Sequence, residues 1–120
     1  MIRNATRDLD IASDVTYCTT FLQRGFGLMF RRSLSENQAF VFTEHQESIY
    51  AATITMFFVF FPITVIWLNN DKRVVDKVLA RPWRFIYMPN NPARYYIEAH
   101  PLVIDKVETG DVLAFPDPVS

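Results

Sequence analysis

The stretch Ile49 to Leu68, IYAATITMFFVFFPITVIWL, runs for twenty residues without a formal charge, which is long enough to cross a bilayer as a helix. Its residue types argue otherwise. Ile54, Thr55, Phe57, Phe58, Val59, Phe60 and Phe61 precede Pro62, and Ile63, Thr64, Val65, Ile66 and Trp67 follow it, so the run is mostly β-branched and aromatic and favours strands. Pro62 lacks an N–H and steers its predecessor away from helical geometry, which makes it punctuation between two buried strands. The flanks, with Glu44, His45 and Glu47 on one side and Asp71, Lys72 and Arg73 on the other, give no support for a span. The segment predicts two core strands and no membrane span.

Outward from this core, the chain keeps the same character. Leu9, Ile11, Ser13 and Val15 alternate with Asp10, Ala12 and Asp14, predicting a strand with one buried face. Phe21, Leu22, Phe26, Met29 and Phe30 recur at three- and four-residue intervals behind Thr19 or Thr20 as N-cap, predicting one short helix near residues 20–26 that Gly25 and Gly27 end. Ala39 to Phe42 and Arg73 to Leu79 read as strands, the latter joined to Leu68 by the turn residues Asn69, Asn70 and Asp71. Pro82, Pro89 and Pro92 make residues 81–92 an irregular connection carrying Trp83, Phe85 and Tyr87. Tyr95 to Ala99 is a further strand, Pro101 to Lys106 a helical turn with proline at its start, and Val112 to Phe115 a last strand. This order predicts a mainly β fold, an antiparallel β-sandwich or barrel-like sandwich, in a single domain over residues 1–120.

The composition fits. In 120 residues, 50% are hydrophobic, 15% aromatic and 21% charged, which excludes disordered, collagen-like and disulfide-scaffold classes. Twelve basic against thirteen acidic residues leave a net charge of −1, so no bulk positive field drives nucleic-acid binding and none is expected. The single cysteine, Cys18, cannot form an internal disulfide and reads as a small buried hydrophobe. With an N-terminus, MIRNATRDLD, that lacks the apolar core of a signal peptide, it points to a cytoplasmic protein. The high apolar content also suits a homo-oligomer that buries surplus aromatic surface.

Chemistry-bearing patterns are sparse. Glu44, His45 and Glu47 form the one local cluster of ligand types, which reads as a solvated loop before a metal site, and no metal or other cofactor is expected. No Gly-x-Ser-x-Gly elbow, dinucleotide loop or P-loop occurs. Asp105, Glu108 and Asp111 could serve acid–base chemistry, but beside Gly110 they read first as turn residues. What remains is arginine beside aromatics. Nine of the twelve basic residues are Arg, with Arg24, Arg31 and Arg32 around one turn and Arg81, Arg84 and Arg94 around Trp83. Guanidinium forks suit anions and an indole face suits a sugar or base. The candidate ligand-binding residues are therefore Arg31, Arg81, Trp83 and Arg84, with an anionic or carbohydrate-like small ligand or a partner surface. The plain alternative has Trp83 plugging the core while the arginines pair with carboxylates, and the sequence leaves both open. A small hydrolase or lyase using carboxylates is the runner-up reading; no catalytic residue is named, and the leading reading is a non-catalytic binding or interaction module.

Several strings carry a family resemblance: Cys18-x-x-Phe21-x-x-Arg24 leading to Gly27-Leu28-Met29-Phe30-Arg31, Met56-Phe57-Phe58, Phe61-Pro62-Ile63, Val74-Val75-Asp76, Arg81-Pro82-Trp83-Arg84, Pro92-Ala93-Arg94-Tyr95 and Gly110-Asp111. In this order they resemble the family called domain of unknown function 192, and its archaeal members most. The resemblance implies a small sandwich-type β fold and no known reaction. It also marks two departures: relatives usually carry an acid where this chain has Thr64, and archaeal relatives often carry His where it has Thr55. A threonine hydroxyl offers one donor and cannot titrate near neutrality, and an aspartate returned to position 64 is expected to be tolerated.

Overall fold

The computed structural model describes residues 1–18, 34–54, 56, 59–82 and 86–116. Eight strands form two sheets: β1 (Ile2–Asn4), β2 (Leu9–Ala12), β3 (Asp14–Cys18), β4 (Gln38–Ser48), β5 (Ile63–Leu68), β6 (Val74–Ala80), β7 (Ala93–Ala99) and β8 (Leu113–Ala114). A five-stranded sheet has the order β3-β4-β7-β5-β6, and a three-stranded sheet the order β2-β1-β8. This is the mainly β sandwich that the sequence predicts, without barrel closure. The helix predicted near residues 20–26 lies outside the described residues. Pro101–Lys106 is a short 3₁₀ helix, as its proline suggests. No described helix is long and apolar enough to cross a membrane.

β5, the second half of the apolar stretch, is buried at every position. It lies between β7 and β6 with both faces of its sheet covered, which is why it reads as continuous rather than alternating hydrophobicity. Its hairpin to β6 is built as the turn residues predict. Asn69 Oδ1 accepts the N–H groups of Asp71 (2.9 Å) and Arg73 (3.1 Å), and Lys72 takes the left-handed conformation (φ 60°) that the reversal needs.

The first half of the stretch departs from the expectation. Among its described residues only Ile54 makes a strand-like bridge, to Tyr87, and a turn joins the Val59 N–H to the Met56 carbonyl (3.2 Å). Ala52, Ile54, Met56 and Val59 instead point inward as a cover over the large sheet, beside Phe40, Phe42, Trp67 and Tyr96. The Trp67 indole N–H pins this cover by donating to the Ala52 carbonyl (2.7 Å). Strand propensity gives way here to side-chain burial, as propensities do when tertiary packing differs.

Three further differences concern pairing. β3 and β4 run parallel, so the large sheet is mixed where a wholly antiparallel one was predicted. The strand predicted over Leu9 to Val15 breaks at Ser13, where the chain leaves the small sheet for the large one. The Ser13 and Asp14 N–H groups both turn to the Asn37 carbonyl there. β1, which the sequence did not signal, pairs with β2 and β8.

The small sheet and the 3₁₀ helix cover one face of the large sheet. Ile2, Ile11, Leu113, Val103 and Val107 pack there on Val41, Ile66, Leu68 and Ile97. Asn4 and Asp111, buried on this side, are tied down. Asn4 Nδ2 donates to the Lys106 carbonyl (2.9 Å) and to Asp111 Oδ2 (2.8 Å). Asp111 also accepts from the Glu108 N–H (2.9 Å) and pairs with Arg7 (3.0 Å). The Lys77 ammonium caps the 3₁₀ helix end through the Ile104 and Val107 carbonyls, both at 2.7 Å.

Candidate functional site

β7, Ala-Arg-Tyr-Tyr-Ile-Glu-Ala, occupies the middle of the large sheet between β4 and β5. Strand alternation sends Tyr95, Ile97 and Ala99 to the sandwich face and Tyr96 and Glu98 to the opposite one. Glu98 stands directly between Phe40 of β4 and Val65 of β5, with Thr16 of β3 and Val78 of β6 completing its row. Tyr96, its neighbour along the strand, stacks on Phe42 with ring centroids 4.6 Å apart.

The carboxyl of Glu98 is buried, with 9% of the residue exposed. Burial pushes its pKa up to about 7, and no hydrogen bond or charge counteracts that. Phe40 and Val65 are apolar, the cover residues Ala52, Ile54, Met56 and Val59 are apolar, and His100 two positions on is occupied as the N-cap of the 3₁₀ helix, its Nδ1 accepting the Leu102 N–H (3.1 Å). Like Asp14 of β3, the nearest acid on the same face of β6, Asp76, lies about 12 Å away at ordinary sheet spacings. It accepts the Asn90 N–H (3.0 Å), and the buried Val65 and Trp67 fill the space between the two acids. A two-carboxylate reaction centre is not assembled from this pair.

Of the four residues expected to bind a ligand, Arg31, Trp83 and Arg84 lie outside the described residues. Arg81 is exposed just beyond the end of β6, and its N–H donates to the Tyr87 hydroxyl (2.8 Å). It shares an end of the large sheet with Glu98, roughly 14 Å away between backbones at ordinary spacings. Arg94, grouped with it by sequence, sits at the opposite end of the sheet. Its guanidinium donates to the Glu44 carbonyl (3.2 Å) and lies 5.5 Å from the Tyr95 ring centre. The cause is direction: β6 and β7 both pair antiparallel with β5, so the end of one and the start of the other are far apart.

The remaining candidates resolve into structure. Cys18 is buried in the core. His45 and Glu47 are exposed, with Glu47 accepting the Asn70 N–H (2.8 Å), and no three ligand-type side chains gather among the described residues. Asp111 is the turn residue the sequence suggests. Hydrogen bonds from Asn4, the Glu108 N–H and Arg7 outweigh the burial that pushes its pKa up and leave it lowered. Thr64 is buried and donates to the His100 (3.0 Å) and Pro101 (3.2 Å) carbonyls. Two acceptors face its hydroxyl, a poor setting for the aspartate expected to be tolerated there.

Sequence reading marks Glu98 only as part of Glu98-Ala99-His100-Pro101, a segment that replaces a more apolar pattern in the resembling family, and not as a site, because a charged residue in a strand ordinarily marks the solvent side. The available signal was its setting, Tyr95-Tyr96-Ile97-Glu98-Ala99, which has no other polar residue to make a wet face.

The family model DUF192, an uncharacterized ACR, matches residues 2–115. A UPF0127 protein of Pyrococcus furiosus is 36% identical over 112 residues, covering 92% of this chain and 93% of that protein. A UPF0127 protein of Thermococcus kodakarensis is 38% identical over 117 residues, covering 96% and 73%. A crystal structure of a protein of unknown function from Novosphingobium aromaticivorans DSM 12444 superposes with a TM-score of 0.76 at 22% identity, covering 84% of this chain and 74% of that one. That last likeness is one of fold alone. With a family model spanning nearly the whole sequence and archaeal relatives above one-third identity, this chain belongs to the uncharacterised DUF192 family.

Proposed function

We propose that the protein is a non-catalytic binding module for a small, neutral, carbohydrate-like ligand, held where Glu98 faces out of the large sheet and met by Arg31, Arg81, Trp83 and Arg84. The observation that carries this reading is Glu98 itself. A buried carboxyl without a partner is costly; among the described residues Glu98 has none, and its cross-strand neighbours Phe40 and Val65 are apolar. The same group narrows the ligand. An anion would have to approach another carboxyl, whereas a hydroxyl hydrogen-bonds to Glu98 in either protonation state. Arginine forks and an indole face complete the usual means of gripping a sugar.

Thermal shift and titration calorimetry test this with glucose, ribose, myo-inositol and N-acetylglucosamine set against inorganic phosphate and citrate. A neutral polyol should raise the melting temperature, and Arg84→Ala should weaken its binding by about 1.5 to 3 kcal/mol while leaving the fold intact. Failure of every polyol to bind, or an Arg84→Ala variant that mainly loses stability, would overturn the reading.

A further inference from the structure

Four polar or charged residues are buried among the described residues: Asn4, Thr64, Glu98 and Asp111. Asn4, Thr64 and Asp111 have partners within hydrogen-bond distance. Among the described residues Glu98 has no hydrogen-bond donor, and no base faces it from the strands paired around it. β4 presents Phe40, β5 Val65, β3 Thr16, β6 Val78, and the cover Ala52, Ile54, Met56 and Val59. The titratable groups nearest in register are acidic or engaged: Asp14 of β3 is an exposed acid, Asp76 is hydrogen-bonded to the Asn90 N–H, His100 caps the 3₁₀ helix, and Tyr96 stacks on Phe42. The described residues thus present a largely buried two-oxygen acceptor beside Phe40 and Val65 and no donor to it.

We propose that Glu98 receives a pair of adjacent hydroxyls from a neutral polyol, accepting both hydrogens in its ionised form, so that binding expels one proton from the protein. This rests on the binding reading above and names the ligand group that reading requires. The geometry matches in kind. A carboxylate has two coplanar acceptor oxygens, and vicinal hydroxyls on a sugar ring present two donors at similar spacing, the reverse of an arginine fork on a carboxylate. The balance is simple. The neutral carboxylic acid of the free protein gives its proton to buffer, and two hydroxyl donors replace it. Donors to a carboxylate favour its charged form, and in apolar surroundings such bonds meet little competition from water. The free carboxyl titrates at about 7, which places the coupling within the ordinary working range of pH.

Calorimetry with the tightest-binding member of the neutral sugar panel, run in buffers of differing ionisation enthalpy, counts the protons directly. Release should approach about one proton per site near pH 6 and fall towards none above about pH 8, with affinity about tenfold weaker at pH 6 than at pH 8. The deoxy analogue lacking one of the adjacent hydroxyls should bind more weakly and release less. Glu98→Gln, checked for folding by circular dichroism, should bind without proton exchange and with a flat pH profile. The wild-type proton count stands even if that variant misfolds. Sugar binding with no proton exchange, with proton uptake, or with pH dependence retained in Glu98→Gln would overturn this inference and leave the binding reading standing. Silence from every sugar at both pH values would overturn the binding reading and this inference with it. Tight binding of choline in place of the sugars would show that the carboxylate takes a cation and would also overturn it.

Discussion

The two faces of the five-stranded sheet are built from the same strands and finished differently. On one, a second sheet and a 3₁₀ helix meet Val41, Ile66, Leu68 and Ile97, and the buried Asn4, Thr64 and Asp111 are hydrogen-bonded. On the other, an irregular segment covers Phe40, Phe42, Trp67 and Tyr96, and the buried Glu98 carboxyl meets no donor among the described residues. Ile97 and Glu98 are neighbours on β7, yet one serves packing and the other works against it. The contrast separates the face closed by the second sheet from the face on which the binding proposal rests.

The sharpest way to break this comparison is at β7 itself. Ile97→Ala should cost about 2 to 5 kcal/mol by opening a cavity in the sandwich core, measured by denaturant melts. Glu98→Met, next along the strand, should do the opposite and stabilise the protein by up to roughly 3 kcal/mol at pH 8, with little effect near pH 4. The sign follows from the titration. The folded-state carboxyl titrates at about 7, above the 4.5 of an exposed glutamate, so between those values the folded chain keeps a proton that the unfolded chain has lost. Wild-type stability therefore falls as pH rises through that window. A Glu98→Met protein less stable than wild type at pH 8 would mean that the carboxyl is anchored after all.

Asp111 supplies the counterpart on the other side. Its pKa is lowered below 3.8 in the folded protein by its hydrogen bonds and by Arg7, so its contribution is present above that value and is lost as pH falls through the folded-state pKa. Asp111→Ala should cost about 2 to 3 kcal/mol at neutral pH, because the buried Asn4 amide loses an acceptor, and the deficit should shrink in acid. Smallest is Thr64→Val, which strips a hydroxyl from two carbonyls and should cost about 1 kcal/mol. Thr64→Asp sharpens it, losing more at neutral pH than at acid pH, where a protonated carboxyl can again donate.

The difference between the faces also governs what the sequence discloses. β5, β6, β7 and the 3₁₀ turn are legible because strand chemistry, the Asn69-Asn70-Asp71 turn and Pro101 each act locally. The same residue types at 54–59 mislead, since a cover pressed on an apolar face and a strand buried in a sheet ask for identical side chains. β1 escaped because Ile2-Arg3-Asn4 is too short to show a period and pairs with a segment more than a hundred residues away. Glu98 escaped for the reason that makes it informative: burial depends on neighbouring strands, and β4 and β5 lie far from it in sequence. Arg81 is exposed beyond the end of β6, and its distance from Arg94 is a matter of strand direction, which local patterns do not encode.

The junction of β1 with β8 bears on how the molecule is made. Arg3 and Asn4 pair with Ala114 and Leu113, and the Asn4 amide reaches Asp111, so during synthesis β1 waits for a strand more than a hundred residues behind it. Until then Ile2 and Ile11 have no finished sheet to enter, and the apolar stretch around β5 is already exposed. Non-local pairing of this kind places folding on the millisecond-to-second scale of β-rich domains. A nascent chain stalled before residue 113 is consequently the form of this protein most prone to aggregate and most in need of a chaperone.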